Sequence, residues 1–255
     1  MNDVAIVTGA SSGLGREIAI LLADRGWQVV GVARRGFHED PIISVAGDAS
    51  KRETASHAVD AAKQLGKITL LVNCAGAGVF GPAGSYDDAS IARVLDSNLV
   101  ATIMFCEALF PRFRADGGTI VNILSTAALI GKANESVYCA AKWGARGYSE
   151  ALRAEAKGTK ARIISVAPGG MDTPFWSDRH SDFMDAKEIA EMRHDLPRQR
   201  IARPHRSLPF ASLRVGLTFW QPPTPSSPCP RATSRRGCPR PPALSSSPPP
   251  FPCRR

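Results

Sequence analysis

Val4-Ala-Ile-Val-Thr8-Gly9-Ala-Ser-Ser-Gly13-Leu-Gly15 stands near the start of the chain and decides how the rest is read. Val4 to Thr8 is a short, continuous apolar run, the pattern of a parallel strand buried on both faces. Gly9, Gly13 and Gly15 follow, and Arg16 to Arg25 then reads as an amphipathic helix. A glycine-rich turn between strand and helix lets the backbone approach a pyrophosphate. The helix N-terminus adds unpaired N–H groups and a partial positive charge. The spacing is Thr-Gly-x-x-x-Gly-x-Gly. It is neither the commonest dinucleotide fingerprint nor a Walker loop, because no Lys-Ser/Thr follows. The competing reading is a tight strand-to-helix turn that holds no ligand.

Working outward, the same alternation continues. Gln28–Ala33, Ile42–Ala46, Ile68–Val72, Thr119–Leu124 and Arg162–Ala167 read as further strands. Between them lie helical runs at Ser50–Leu65, closed by Gly66, at Asp87–Arg114 as one or two helices, and at Glu135–Lys157. Strands alternating with helices predict an α/β fold: a Rossmann-like, doubly wound parallel sheet with helices on both faces and right-handed crossovers.

Several residues then fall in the layer where such sheets bind ligands, at the carboxyl ends of the strands. The second strand ends in Ala33-Arg34-Arg35. An acidic residue there would favour NAD through the ribose 2′-hydroxyl, whereas a guanidinium pairs with a 2′-phosphate. This points to NADP, with NAD possible; two solvated arginines at a strand end are the alternative. Asp48 follows the third strand, where a lone Asp is commonly a turn former or helix cap. Asn73-Cys-Ala75-Gly76 follows the fourth. Asn98 lies inside a long apolar helical run, as a structural hydrogen-bonding group or as part of a site. Ser125 stands at the end of the fifth strand. Pro168-Gly169 and Thr173 follow the sixth.

Tyr138-Cys-Ala-Ala-Lys142 lies within the Glu135–Lys157 run. Residues four apart lie on one face of a helix, so Tyr138 and Lys142 present a phenol and an ammonium to the same place. A cation within about 4–6 Å lowers a phenol's pKa, so Lys142 is expected to depress that of Tyr138. A Tyr so tuned can exchange a proton with a substrate oxygen near neutral pH. Taken alone, the pair is equally a chance neighbourhood on a surface helix.

Charge excludes one function class. The chain is +9 overall, but residues 196–255 hold 11 Arg and no acid, leaving −2 for residues 1–195. A nucleic-acid-binding body is therefore not expected. The six cysteines form no Cys-x-x-Cys pair or zinc spacing, and the five histidines show no ligand spacing, so no metal is expected. No signal peptide and no apolar run of about 18–20 residues is evident, which makes a cytoplasmic protein without a membrane span the expectation.

Together these motifs resemble the short-chain dehydrogenase/reductase family, in order and spacing over about residues 2–192. The resemblance implies roles. The turn residues Gly9, Ser11, Ser12, Gly13, Leu14 and Gly15 would bind the nucleotide, with Arg34, and with Asp48 near the adenine. Asn73, Ala75, Gly76, Pro168, Gly169 and Thr173 would complete the cofactor site. Asn98, Ser125, Tyr138 and Lys142 would be the catalytic set. Tyr138 would act as general acid or base, and Lys142 would hold the nicotinamide ribose. Ser125 would place the substrate oxygen, and Asn98 would hold a water linking Lys142 to solvent. The substrate would be a small-molecule carbonyl or alcohol. The loop from Thr173 to Asp195 is apolar at Phe175, Trp176, Phe183 and Met184, which points to an apolar or aromatic one. The family also implies a homodimer through the two long helices, Ile91–Arg114 and Glu135–Lys157.

The chain departs from this pattern near Met192. Fifteen of its 20 prolines lie at or after Pro197. The expected organisation is a domain over 1–195, lacking the family's final strand, and a disordered Arg/Pro/Ser-rich tail over 196–255. That composition also fits a reading frame translated out of register, or an authentic basic arm. Two further functions follow: a cofactor binder of impaired activity, or an interaction protein acting through its tail.

Overall fold

In the computed structural model, residues 3–175, 184–187 and 190 are described. The apolar run opens the fold as β1 (Asp3–Thr8), followed by α1 (Gly13–Asp24), β2 (Gln28–Ala33), β3 (Ile43–Ala46), α2 (Arg52–Leu65) and β4 (Lys67–Asn73). Next come α3 (Asp88–Leu95), a π-helical turn (Asp96–Val100), α4 (Ala101–Asp116), β5 (Gly118–Ile123), α5 (Ser136–Glu155) and β6 (Ala161–Val166). Two short strands, β7 (Met171–Asp172) and β8 (Met184–Asp185), pair with each other.

The six long strands form one parallel sheet in the order β3-β2-β1-β4-β5-β6. Side chains alternate across it. Val4, Ile6, Val30, Val32, Leu71 and Ile120 face α2, α4 and α5, where Phe105, Leu109 and Phe113 fill the layer. Ala5, Val7, Val29, Leu70, Val72 and Val121 face α1, where Leu14 and Ile18 pack with Ala186 and Ala190. This is the Rossmann-like, doubly wound fold expected from the alternation of strands and helices. Strand order reverses between β1 and β4. A crevice opens at their carboxyl ends, where such sheets hold ligands.

Two elements differ from the expectation in their bounds or make-up. Helix α1 starts at Gly13 rather than Arg16, so the glycine turn itself forms the first helical turn. The Asp87–Arg114 run is α3 and α4 joined through the π-helical turn, which contains Asn98. By length and composition, Asp88–Asp116 is also apolar enough to cross a membrane, although no such segment was expected. Three of its large apolar side chains, Phe105, Leu109 and Phe113, lie against the sheet and are fully buried. The expected tail over 196–255, the domain boundary at 195, the missing final strand, and Trp176 and Phe183 lie outside the described residues.

Candidate active site

The glycine turn is shaped for close approach. Gly9 and Gly13 have φ of +73° and +54°, a region costly for other residues. A methyl group on Gly15 would lie 2.3 Å from the Gly9 carbonyl oxygen. Thr8 fixes the floor below. Its hydroxyl accepts from the Cys74 and Ala75 backbone N–H groups, each at 3.0 Å, and so ties the end of β1 to the segment after β4. Sequence reasoning missed this role of Thr8. The signal available was a hydroxyl in the last position of the strand.

A cleft of about 360 Å³ lies over this floor. Its walls include Gly9, Ser11, Ser12, Gly13, Leu14 and Gly15 from the turn, Arg34 after β2 and Asp48 after β3. Ala75 and Gly76 come from the segment after β4, and Pro168, Gly169 and Thr173 from the segment after β6. Asn98, Ser125, Tyr138 and Lys142 line it as well. Asp48 accepts from the Ser50 N–H at 2.9 Å and its hydroxyl at 2.8 Å. Burial pushes its carboxyl up, but these bonds and the Lys51 and Arg34 charges hold it below the ordinary carboxylate value.

Asn73 does not reach the cleft. It lies two residues beyond Leu71 on β4, so the alternation turns it toward α4. There its amide donates to Asn122 Oδ1 at 2.9 Å and to Cys106 Sγ at 3.3 Å. Asn122 in turn donates to Ser149 Oγ at 2.8 Å, and Ser149 to the Ala145 carbonyl at 2.7 Å. This buried chain ties β4 and β5 to α4 and α5. The side chain of Asn73 therefore supports the sheet rather than lining the cofactor site.

Helix α5 carries Tyr138 and Lys142 on its buried face. Lys142 Nζ donates to the Ile123 carbonyl at 3.1 Å and lies 5.7 Å from the centre of the Tyr138 ring. Ser125 sits between β5 and α5, where its hydroxyl accepts from the Ala127 N–H at 3.1 Å and acts on the Tyr138 phenol to lower its pKa. The expectation that Lys142 would depress the Tyr138 pKa is not met in this structure. Burial raises the phenol above its ordinary value, partly offset by Ser125, and the charge of Glu135 adds to the rise. Burial also pushes Lys142 down, to about 8. Both groups are out of water, so desolvation outweighs their mutual effect.

Asn98 completes this wall. Its amide donates to Ala77 O at 2.7 Å and Val94 O at 2.9 Å. Its Oδ1 is buried and has no hydrogen-bond partner among the described residues. It faces Gly76, where a methyl group would sit 2.8 Å from Asn98 Oδ1 and 3.9 Å from Lys142 Nζ. Ala77, Gly78, Arg93, Ser97, Met171 and Pro174 also line the cleft without having been singled out from sequence, and so does Phe175, which was expected to help shape the substrate pocket. No group of His, Cys, Asp and Glu side chains able to hold a metal occurs among the described residues.

Residues 3–183 match the model of the short chain dehydrogenase family. The chain belongs to that family. Among its relatives, the cyclohexanol dehydrogenase of an Acinetobacter species is 38% identical over 189 residues, 68% of this chain and 74% of that protein. The D-threitol dehydrogenase of Mycolicibacterium smegmatis is 35% identical over 181 residues, 65% of this chain and 68% of the relative. A crystal structure of a short chain dehydrogenase from Burkholderia cenocepacia in complex with NADP superposes with a TM-score of 0.71 at 27% identity. That match covers 78% of this chain and 86% of that one. The relatives are dehydrogenases and reductases, and this chain is an oxidoreductase of the same family.

Proposed function

We propose that the chain interconverts a small-molecule carbonyl and its secondary alcohol, with NADP(H) as the cofactor and NAD(H) as a weaker substitute. One observation carries this reading: Asn98, Ser125, Tyr138 and Lys142 share one cleft with the glycine turn and Arg34. The residues fit the cofactor. The glycine turn lines the cleft with its backbone at the start of α1, Arg34 offers a guanidinium to a 2′-phosphate, and Asn98 Oδ1 is a buried acceptor awaiting a donor.

NADP(H), when bound, supplies or takes up the hydride at the substrate carbon. The chain handles the proton. In reduction, Ser125 holds the substrate oxygen and Tyr138 gives that oxygen its proton. A raised pKa keeps Tyr138 protonated at neutral pH, so the proton is there to give. The phenolate left behind is stabilised by Lys142, which with a pKa of about 8 is still mostly cationic at pH 7. A water held by Asn98 Oδ1 next to Lys142 would return the proton from solvent. In oxidation the same path runs backward, with Tyr138 as base.

The homodimer belongs to this proposal too. The helices that would pair are α4 and α5, and Trp143 stands 47% exposed on α5. The two relatives act, by name, on an alicyclic alcohol and on a polyol. The chemistry at Tyr138 is the same for both.

The test is Tyr138→Phe. The ring packs alike but has no proton to give. Binding of NADPH, followed by its fluorescence, should be retained, while turnover falls by about 10²–10⁴. Turnover within a few-fold of the parent would remove Tyr138 from the mechanism.

A further inference from the structure

The Tyr138 phenol lies against two other rings. Phe80, from the segment after β4, meets it edge-on at 5.7 Å and 79° between planes. Phe175, from the segment after β6, lies 5.7 Å away at 51°. The two phenylalanines touch each other at 6.0 Å and 64°. Val79, Val94, Leu95 and Val137 belong to the same apolar cluster as Tyr138 and Phe175.

The wall is built into the backbone. A methyl group on Gly78 would stand 2.4 Å from Phe80 Cζ and 2.9 Å from Phe175 Cζ, so only glycine lets both rings settle there. The segment carrying Phe80 is pinned at its far side. The Gly81 N–H donates to the Asn134 carbonyl at 2.8 Å, and the Tyr86 hydroxyl reaches that carbonyl at 3.0 Å. Asn134 turns its carbonyl toward them with a φ of +62°. Phe80 remains 38% exposed, so its ring presents apolar surface beside the phenol.

Phe175 lines the cleft itself, with Phe80 packed against it and against Tyr138, so a substrate oxygen that reaches Tyr138 brings its carbon skeleton beside a phenyl ring. Hydroxyls of a polyol turned toward these two rings would lose water without gaining partners from them. A flat or puckered six-membered ring matches the aromatic faces and loses little conformational freedom on binding.

We infer that Phe175, with Phe80 packed behind it over Gly78, determines specificity and selects a ketone, or its secondary alcohol, carrying a six-membered alicyclic or aryl ring at the reacting carbon. This rests on the oxidoreductase reading above and adds the substrate class.

The test compares kcat/KM of the full chain with NADPH for cyclohexanone, acetophenone and dihydroxyacetone. The ring ketones should exceed dihydroxyacetone by at least about tenfold. Phe80→Ala and Phe175→Ala should each lower the ring-ketone value by roughly ten- to a hundredfold while the NADPH dissociation constant stays unchanged. Phe80→Leu and Phe175→Leu, which keep an apolar side chain, should recover part of the loss. Saturation-transfer NMR of acetophenone on the NADP-loaded protein reads the wall independently of turnover. A signal from the parent that is lost in both alanine variants supports the wall. A protein that reduces no carbonyl would sink the oxidoreductase reading and leave this binding result to stand or fall alone. Preference for dihydroxyacetone, or no acetophenone signal from the parent, would overturn the inference.

Discussion

Lys142 is the residue whose burial matters most. Its Nζ is out of water and bonded to one carbonyl, so its folded pKa is about 8 against an ordinary value of 10.5. Between those values the unfolded chain binds more protons, and stability rises with pH. The cost of charging Lys142 is fully present below pH 8, fades as pH climbs toward 10.5, and is gone above. Roughly 3 kcal/mol is at stake, from about 1.4 kcal/mol per pKa unit. Lys142→Met removes this cost and also the bond to Ile123 O, itself worth about 1 kcal/mol. The variant should gain most over the parent below pH 8, and the gap should close near pH 10. Urea titrations at pH 7 and pH 10 check this; a gap independent of pH would refute it. Arg34 allows a second prediction. It lines the cleft, and its charge reaches Asp48. Arg34→Asp should weaken NADPH binding and shift preference toward NADH, because a carboxylate repels a 2′-phosphate and accepts from a 2′-hydroxyl. Isothermal titration with both cofactors reads the ratio. An unchanged ratio would assign the 2′-phosphate to another group.

At the scale of elements, α5 must hold Tyr138 and Lys142 in place against β5. The chain Asn73–Asn122–Ser149 does this from inside the core. Ser149→Ala leaves the Asn122 amide without its acceptor in a fully buried place, which costs about 1–3 kcal/mol. Chemical denaturation should show that loss; a change below about 0.5 kcal/mol would mean that the network carries little. Much of this layer could be read from sequence. The short apolar runs alternating with helical stretches placed five further strands within a residue of their observed ends, and Gly66 ends α2 as expected, with φ +152°. What escaped was set by tertiary context. The π-helical turn at Asp96–Val100 leaves no mark in the apolar pattern, because an apolar helix with one wide turn looks like an apolar helix. Asn73 was expected to help complete the cofactor site; counting by twos from Leu71 points its side chain toward α4, where it bonds Asn122 and Cys106. The pKa of Tyr138 was misjudged because helical spacing gives proximity to Lys142 but not burial. Phe80 drew no notice, since a lone aromatic in a glycine-rich loop says nothing of the ring it will meet.

For the whole molecule, the account makes one machine of distant pieces. A phosphate-sized turn after β1, a guanidinium after β2 and a buried phenol–ammonium pair on α5 share the crevice where strand order reverses between β1 and β4. Each piece alone has an ordinary structural explanation. Their convergence in a short-chain dehydrogenase is what argues for hydride transfer. The most direct measurement follows the hydride itself. The full chain is incubated with NADPH carrying deuterium at both C4 positions of the nicotinamide and with a panel of ketones, and the products are read by mass spectrometry. The account predicts secondary alcohols bearing one deuterium at the former carbonyl carbon, formed with matching loss of NADPH. Alcohol products without deuterium, or no alcohol from any ketone by a protein that binds NADPH, would contradict it.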